Sequence, residues 1–230
     1  LTGDSSGFTG TTTVSGGTLL VGDATGAGKL GGVVNVGTDG TLGGSGTILG
    51  ATTVDGTLSA GNSPGTLTFA DDLTLDSGSK SVFELNSPGI VGGTGAGGND
   101  LVVVHGDLTL GGTLDARVAA AGYYRLFNYD GTLTGTLAGG TVTGTGGFTP
   151  VTSAPDIQYG IPHQVNLSVL AAGQTMQFWD GTDTTGNGVV DGGAGTWSTA
   201  GTNWTGQPGQ ANINGPWGGS VGVFAGAAGG

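Results

Sequence analysis

The 230-residue chain carries 55 glycines, only 9% charged residues and a net charge of −12. Its four cations, Lys29, Lys80, Arg117 and Arg125, cannot neutralise a phosphate track, which excludes nucleic acid and an anionic membrane surface as partners. It has no cysteine, so disulfides, thiolate catalysis and cysteine zinc sites are excluded together. No apolar stretch approaches the roughly 18 residues of a membrane-spanning helix, so no membrane insertion is expected of this segment. The chain shows no signal-peptide pattern and opens at Leu1, with its only methionine at Met176; it reads as a piece of something longer.

So much glycine raises the question of disorder, and the patterning answers it. In chain order, short alternating runs recur: Thr12-Thr13-Val14, Val34-Asn35-Val36, Thr52-Thr53-Val54, Thr66-Leu67-Thr68-Phe69 and Ser81-Val82-Phe83-Glu84-Leu85. They continue through Asp107-Leu108-Thr109-Leu110, Leu114-Asp115-Ala116-Arg117-Val118 and Gln164-Val165-Asn166-Leu167-Ser168-Val169. Each has the period of two that buries one face of a strand, with threonine or another β-former on the other face. Gly-Gly, Asp-Gly and Asn-Ser-Pro-Gly turns punctuate them. Only Val118 to Leu126 has any helical character, and Tyr123-Tyr124 with Leu126-Phe127 argue against it. The expected fold class is all-β.

The unit Gly-Thr-Leu repeats at Gly17, Gly40, Gly56, Gly65, Gly112, Gly131 and Gly135. Short strands, glycine corners and a loose period near 20 residues describe a β-solenoid, in which each coil buries its inward residues against the coils above and below. About 170 residues at roughly 20 per coil predict about eight coils, a rod near 40 Å. The competing fold is a β-sandwich, for which Asp39-Gly40 and Asp130-Gly131 are fair hairpin signals. Composition shifts near Ala171: Trp179, Trp197, Trp204 and Trp217 all lie beyond it, and no lysine or arginine follows Arg125. Two regions are expected, a Thr/Gly-rich β-solenoid over 1–170 and a tryptophan-rich connector or further solenoid module over 171–230.

The residues also carry a resemblance. Leu1 to Gly10, followed by Thr11-Thr12-Thr13-Val14-Ser15-Gly16-Gly17-Thr18-Leu19, resembles the autotransporter-associated β-strand repeat. Leu58-Ser59-Ala60-Gly61-Asn62-Ser63-Pro64-Gly65-Thr66-Leu67 resembles the passenger-associated transport repeat, and Asn99-Asp100-Leu101-Val102-Val103-Val104, Tyr124-Arg125-Leu126-Phe127 and Val165-Asn166-Leu167 continue it. Phe178-Trp179-Asp180-Gly181, Gly195-Thr196-Trp197, Thr202-Asn203-Trp204-Thr205 and Val223-Phe224-Ala225-Gly226 are similar to connectors of multi-repeat passengers. The resemblance implies a type V secretion (autotransporter) passenger: a right-handed parallel β-helix exported through its own C-terminal outer-membrane barrel, which is absent from this chain. It further implies display on a Gram-negative cell surface, or secretion, as a stalk, an adhesin or a carrier. A host-surface or matrix ligand, or a polysaccharide, is the expected partner. Gly61, Asn62, Ser63, Pro64, Gly65, Trp179, Asp180 and Gly181 are singled out as structural motif residues.

Enzyme-like motifs fare poorly. Gly61-Asn62-Ser63-Pro64-Gly65 spells a G-x-S-x-G nucleophile elbow, but Pro64 has no N–H to give an oxyanion hole; a fixed corner between coils is the expectation. Gly26–Gly31 and Gly93–Gly98 fit G-x-G-x-x-G, yet neither opens a helix, as a phosphate cradle requires. Gly95 to Val102 misses a calcium nonapeptide at Ala96 and reads as a loop feeding the Leu101–Val104 strand. Asp183 to Asp191 supplies oxygen donors at positions 1, 3, 5 and 9 of an EF-hand-type loop, with Gly188 at position 6. Position 12 is Ala194; Asp180 or a carbonyl could compensate, but an Asx-type turn is the favoured reading. Glu84 should face outward opposite Phe83, Asp71 and Asp72 point oppositely, and His105 and His163 read as turn residues rather than ligands. The tryptophans are expected to plug the end of the core. No catalytic, cofactor or metal residues are assigned, and no cofactor is implied. The expectation is a non-enzymatic stalk or adhesin segment folding coil by coil, with a polysaccharide-binding module using Trp197, Trp204 and Trp217, or a polysaccharide-degrading β-helix, as alternatives.

Overall fold

The computed structural model describes residues 1–62, 64–206, 214–219 and 221–224. Their regular elements are all strands, most paired in parallel. The strands up to Gly144 fall into six successive layers, each pairing in parallel with the one before. The first contributes β1 (Asp4–Ser5) and β2 (Thr11–Leu20); the second, β3 (Lys29–Leu30) and β4 (Val33–Gly44). The third contributes β5 (Thr47–Ile48), β6 (Thr52–Val54) and β7 (Thr57–Ala60); the fourth, β8 (Thr66–Phe69), β9 (Leu73–Leu75) and β10 (Lys80–Leu85). The fifth has β11 (Leu101–Val104), β12 (Leu108–Leu110) and β13 (Thr113–Val118), and the sixth β14 (Gly122–Tyr129), β15 (Leu133–Gly135) and β16 (Gly140–Gly144).

One sheet runs β1-β3-β5-β8-β11-β14. In the other, β2 pairs along both halves of β4, which then lead into separate columns: Val34–Val36 lies beside β6 and Thr41–Gly44 beside β7. Beyond β4 the columns run β6-β9-β12-β15 and β7-β10-β13-β16. Every layer after the second therefore places three strands, an arrangement consistent with a β-solenoid.

Alternation decides what meets inside. In the first sheet, Ser5, Leu30, Ile48, Phe69, Val104 and Tyr129 stand in one register column, and the five after Ser5 are buried. In the second sheet Val14, Val36, Val54 and Leu75 form another column, and Phe83, Ala116 and Val142 a third. In the third column, alanine facing phenylalanine keeps the volume of adjacent layers matched. Phe83 also meets Phe127 edge-on at 5.3 Å between ring centres. Facing antiparallel sheets, the sandwich alternative, do not describe this stack.

The stack is shorter than the expected eight coils. The outward column Asp4, Lys29, Thr47, Thr68, Val103, Asn128 has six members separated by 18 to 35 residues, about 24 Å from first to last at about 4.8 Å per step. The longest interval contains the excursion 86–100 between β10 and β11. Moreover, β17 (Asp156–Gln158) and β18 (Gln164–Val169) add no coil. They run antiparallel, β18 on β14 and β17 on β18, and so cover the last open edge of the first sheet. The remaining strands, β19 (Met176–Trp179), β20 (Trp204–Thr205) and β21 (Val221–Val223), form a separate three-stranded sheet. Val118 to Leu126 has no helical turn; it is strand, bend, strand.

Candidate functional site

The corner at 61–65 is held from 35 residues away. Asp100, only 3% exposed, accepts the Gly65 N–H at 2.9 Å on one carboxylate oxygen and the Glu84 N–H at 2.7 Å on the other. Burial pushes the Asp100 carboxyl up to about 7, against the pull of those two backbone donors and with a lesser push from the nearby Glu84 charge. Gly61 sits at φ +83 with the Asp100 carboxylate where a Cβ would be, so the position requires glycine on both counts. Its N–H donates to the Gly44 carbonyl of the coil below at 3.0 Å. Asn62 is exposed and Pro64 is buried; Ser63 lies outside the described residues. Gly65 spends its N–H on Asp100, Pro64 has none to offer, and no helix follows among the described residues. This corner is a clamp between coils.

Next to it, Asn99 is fully buried and uses its whole amide: its oxygen accepts the Asn86 and Ser87 N–H groups at 2.7 and 2.9 Å, and its nitrogen donates to the Ser87 and Ile90 carbonyls at 2.7 Å each. Neither Asn99 nor Asp100 is spare for an ion, so the nonapeptide-like segment is a latch on the 86–100 excursion. The Gly26–Gly31 match spans strand β3 itself and the loop before it, and the Gly93–Gly98 match lies in the loop before β11.

Acidic side chains on the stack serve as acceptors in the same way. Asp72 Oδ1 takes the Asp107 N–H at 2.8 Å, and Asp107 Oδ1 takes the Thr132 N–H at 2.7 Å, one coil further on. Asp55 and Asp76 follow the paired residues Val54 and Leu75, and their hydrogen bond holds the Asp76 carboxyl above its ordinary value. Sequence spacing hid this carboxylate pair, because only stacking brings residues of successive coils together. Glu84 lies opposite buried Phe83, 3.9 Å from Arg117. His105 Nδ1 meets Asp130 at 2.7 Å on the surface. His163 takes φ +61 in the turn before β18, with Nδ1 at 3.0 Å from the Tyr129 carbonyl oxygen.

A groove of about 570 Å³ opens where the excursion, β14, β18 and β21 converge. Ile90, Val91 and Phe224 give it an apolar lip, and Tyr123, Arg125 and Asn166 a polar wall. Arg125 is half-buried; its Nε donates to Asn166 at 2.8 Å and Nη1 to Asn128 at 2.6 Å. Burial lowers the Arg125 guanidinium and raises the Tyr123 phenol. The groove can take a small ligand by apolar contact and guanidinium hydrogen bonds. Arg125 was legible only as part of a strand.

Trp179, Asp180 and Gly181 stand together at the end of β19. Trp179 Nε1 donates to the Gly193 carbonyl at 3.0 Å, and Asp180 Oδ1 accepts the Asp191 N–H at 2.8 Å. Asp183 N–H closes a turn on the Asp180 carbonyl at 3.0 Å. Gly181, at φ +61, lies where a Cβ would strike the Gly192 carbonyl oxygen. Asx turns form at Asp183 and Asn187, whose side-chain oxygens accept the Thr185 and Val189 N–H groups at 2.8 Å. The Thr185 N–H and hydroxyl hold the Asp183 carboxyl below its ordinary value.

The tryptophans do not plug the stack. Trp204 is 2% exposed and meets Trp217, Trp179 and Trp197 at ring-centre distances of 4.6, 5.4 and 6.2 Å. Nearby Phe178, Val190 and Val223 form a core separate from the coils. The stack is covered instead by β18 and β17, whose Val165, Leu167 and Val169 belong to its own core. Buried Trp204 cannot serve as a sugar platform; Trp197, 57% exposed, retains an open ring.

This chain is 43% identical over 155 residues to the adhesin BmaC autotransporter of Brucella suis biovar 1 (strain 1330), an alignment covering 64% of this chain and 4% of the relative. The chain thus spans a small fraction of the relative's length. No protein-family model matches the chain, and no solved structure matches it.

Proposed function

We propose that the chain is a non-enzymatic stalk or adhesin segment of a surface-displayed autotransporter passenger. In this reading residues 1–170 close into a right-handed parallel β-helix, the hand that parallel crossovers take, and 171–230 form a tryptophan-rich connector. The Gly61–Gly65 corner is then a passenger-associated transport repeat and Leu1–Leu19 an autotransporter-associated β-strand repeat. The carrying observation is the six-membered parallel ladder with its aliphatic columns, supported by the likeness to a protein named as an autotransporter adhesin. Each coil offers the next an ordered edge, so coils fold one on another as they emerge from the cell. The partners are the passenger's own C-terminal barrel in the Gram-negative outer membrane and a host-surface or matrix ligand, for which the Arg125 groove is the candidate contact.

The test is to place the chain between a signal peptide and an autotransporter barrel in a Gram-negative host. Protease-accessible, folded chain on the surface is the expected result; chain retained in the periplasm overturns the reading. Beads coated with the isolated chain should bind host cells or matrix if it is adhesive rather than a spacer. Exposed Trp197 is what favours polysaccharide binding as a second reading, and a flat tryptophan-fluorescence titration with polysaccharides removes it.

A further inference from the structure

Among the described residues, one group brings three carboxylates together: oxygens of Asp180, Asp183 and Asp191 all lie within 4.8 Å of one another. Asp180 is 1% exposed, and no lysine or arginine follows Arg125 in the sequence. Burying a carboxylate beside two more is costly unless a cation compensates. The neighbouring amides lean into this gap. Asn187 Nδ2 bridges Asp183 and Asp191 at 3.1 and 3.0 Å, and Asn214 Nδ2 reaches Asp180 Oδ2 at 2.8 Å and the Asp183 carbonyl at 3.2 Å.

Asn214 supplies the independent sign. It is 7% exposed, its amide points into the group, and its Oδ1 is buried with no hydrogen-bond partner. Such an orphan acceptor is a standing cost. A half-turn of the amide, which exchanges two atoms of nearly equal shape, would aim Oδ1 at Asp180 Oδ2 and the Asp183 carbonyl. That orientation is favourable only with a positive ion among the three oxygens.

We infer that Asp180, Asp183 and Asp191, with the Asn214 amide oxygen, form a calcium site. The loop from Asp183 to Asp191 has an EF-hand-like donor spacing, and Gly188 takes φ +80 at its sharp bend. The missing carboxylate of position 12 is replaced by Asp180, which enters from the strand preceding the loop. Four side chains, three carboxylates that can each give one or two oxygens and one amide, with water completing the shell, meet the six to eight oxygens calcium takes; three negative charges suit a divalent ion, and the irregular cage disfavours magnesium. Calcium would fasten the loop 181–195 and the Asn214 segment to the end of β19, beside Trp179.

The test uses the full chain with calcium chloride in a calorimeter, and with terbium, whose emission is sensitised by the adjacent Trp179. One calcium per chain is expected, at the 10⁻⁴ M to 10⁻³ M dissociation constants of extracellular calcium modules or tighter, with calcium displacing terbium and magnesium failing to. Asp191→Asn, at an exposed carboxylate that leaves the buried set in place, should weaken calcium at least tenfold; Asp23→Asn, on a distant turn, should not change it. Asp180→Asn should abolish binding, and if that variant misfolds by circular dichroism, Asp191→Asn still decides. Absence of binding up to 10-fold above that range, or unchanged affinity in Asp191→Asn, overturns the site.

Discussion

In the six stacked layers the hydrophobic core is aliphatic and aromatic and stands in columns, each member paired in register with its counterpart one layer away. Among the described residues between Met176 and Val223 there is no column. A handful of large rings meets edge-on, and the connecting loop is tied down by side-chain amides and carboxylates. Both regions are glycine-rich and short of large side chains. In the first, repetition supplies the missing contacts, because every small residue is backed by another layer. In the second, three short strands have nothing to stack on, so a few large rings and a polar network replace repetition. The two regions meet at Tyr123, whose ring lies edge-on to Phe178 at 5.3 Å, and at Ser168, whose hydroxyl donates to Met176 Sδ at 3.6 Å.

The sharpest way to break the comparison is to remove one large ring from each region. Phe83→Ala and Trp204→Ala each delete a ring with almost no exposure, a change that typically costs about 3–5 kcal/mol. The difference lies in what unfolds. Phe83→Ala should lower the main transition in a urea titration followed by far-ultraviolet circular dichroism, since its column couples the fourth, fifth and sixth coils. Trp204→Ala should lower only the tryptophan-fluorescence transition and leave the main one in place. A single coincident shift in both variants would mean the regions unfold as one unit.

The stack was legible beforehand: alternation in Thr66–Phe69 or Leu108–Leu110 announces which side chain points inward. The run of tryptophans after Ala171 announced only a change of composition, and the plug expected of them is not what they form. Coil number was not legible, because the excursion at 86–100 and the antiparallel β17–β18 pair use chain length without adding a layer. Polar partners separated by a whole coil were equally hidden. Nothing local links Asp100 to Gly65, Asp55 to Asp76, or Asp180 to Asn214; stacking or loop return creates each pair. The Ala-Gly-Asn-Ser-Pro-Gly corner was recognisable as a motif, but the reason for its glycine at 61 is a carboxylate 39 positions on.

That carboxylate separates the stack from the surface electrostatics around it. Asp100 ordinarily ionises near 3.8, and burial raises it to about 7 in the folded chain. The folded state therefore keeps its proton where the unfolded state has released it. The associated stability is complete below pH 4 and is lost as pH climbs through 7, by up to about 4 kcal/mol, since each tenfold gain in proton affinity is worth about 1.4 kcal/mol. Asp100→Asn has no such proton. Relative to that variant, the wild-type chain should have its urea midpoint fall between pH 4.5 and 7.5; a midpoint that rises over the same window would show that the two backbone donors outweigh burial.

The smallest effect is expected where an ion pair looks strongest. His105 and Asp130 approach to 2.7 Å, closer than Arg117 and Glu84 at 3.9 Å, yet their side chains are 52% and 66% exposed, and the contact is an ion pair only when the imidazole carries a proton. Water screens such a pair and its ordering entropy offsets most of the attraction, so exposed pairs contribute about 0–1 kcal/mol. The backbone at this corner is held independently, because the His105 N–H donates to the Phe69 carbonyl at 2.8 Å and the Asp130 N–H to the Val104 carbonyl at 2.9 Å. His105→Ala should thus shift the urea midpoint by no more than that range, with the shift shrinking further in high salt. A larger loss would mean that side chains on the outside of the coils, and not only the columns within, hold one layer to the next.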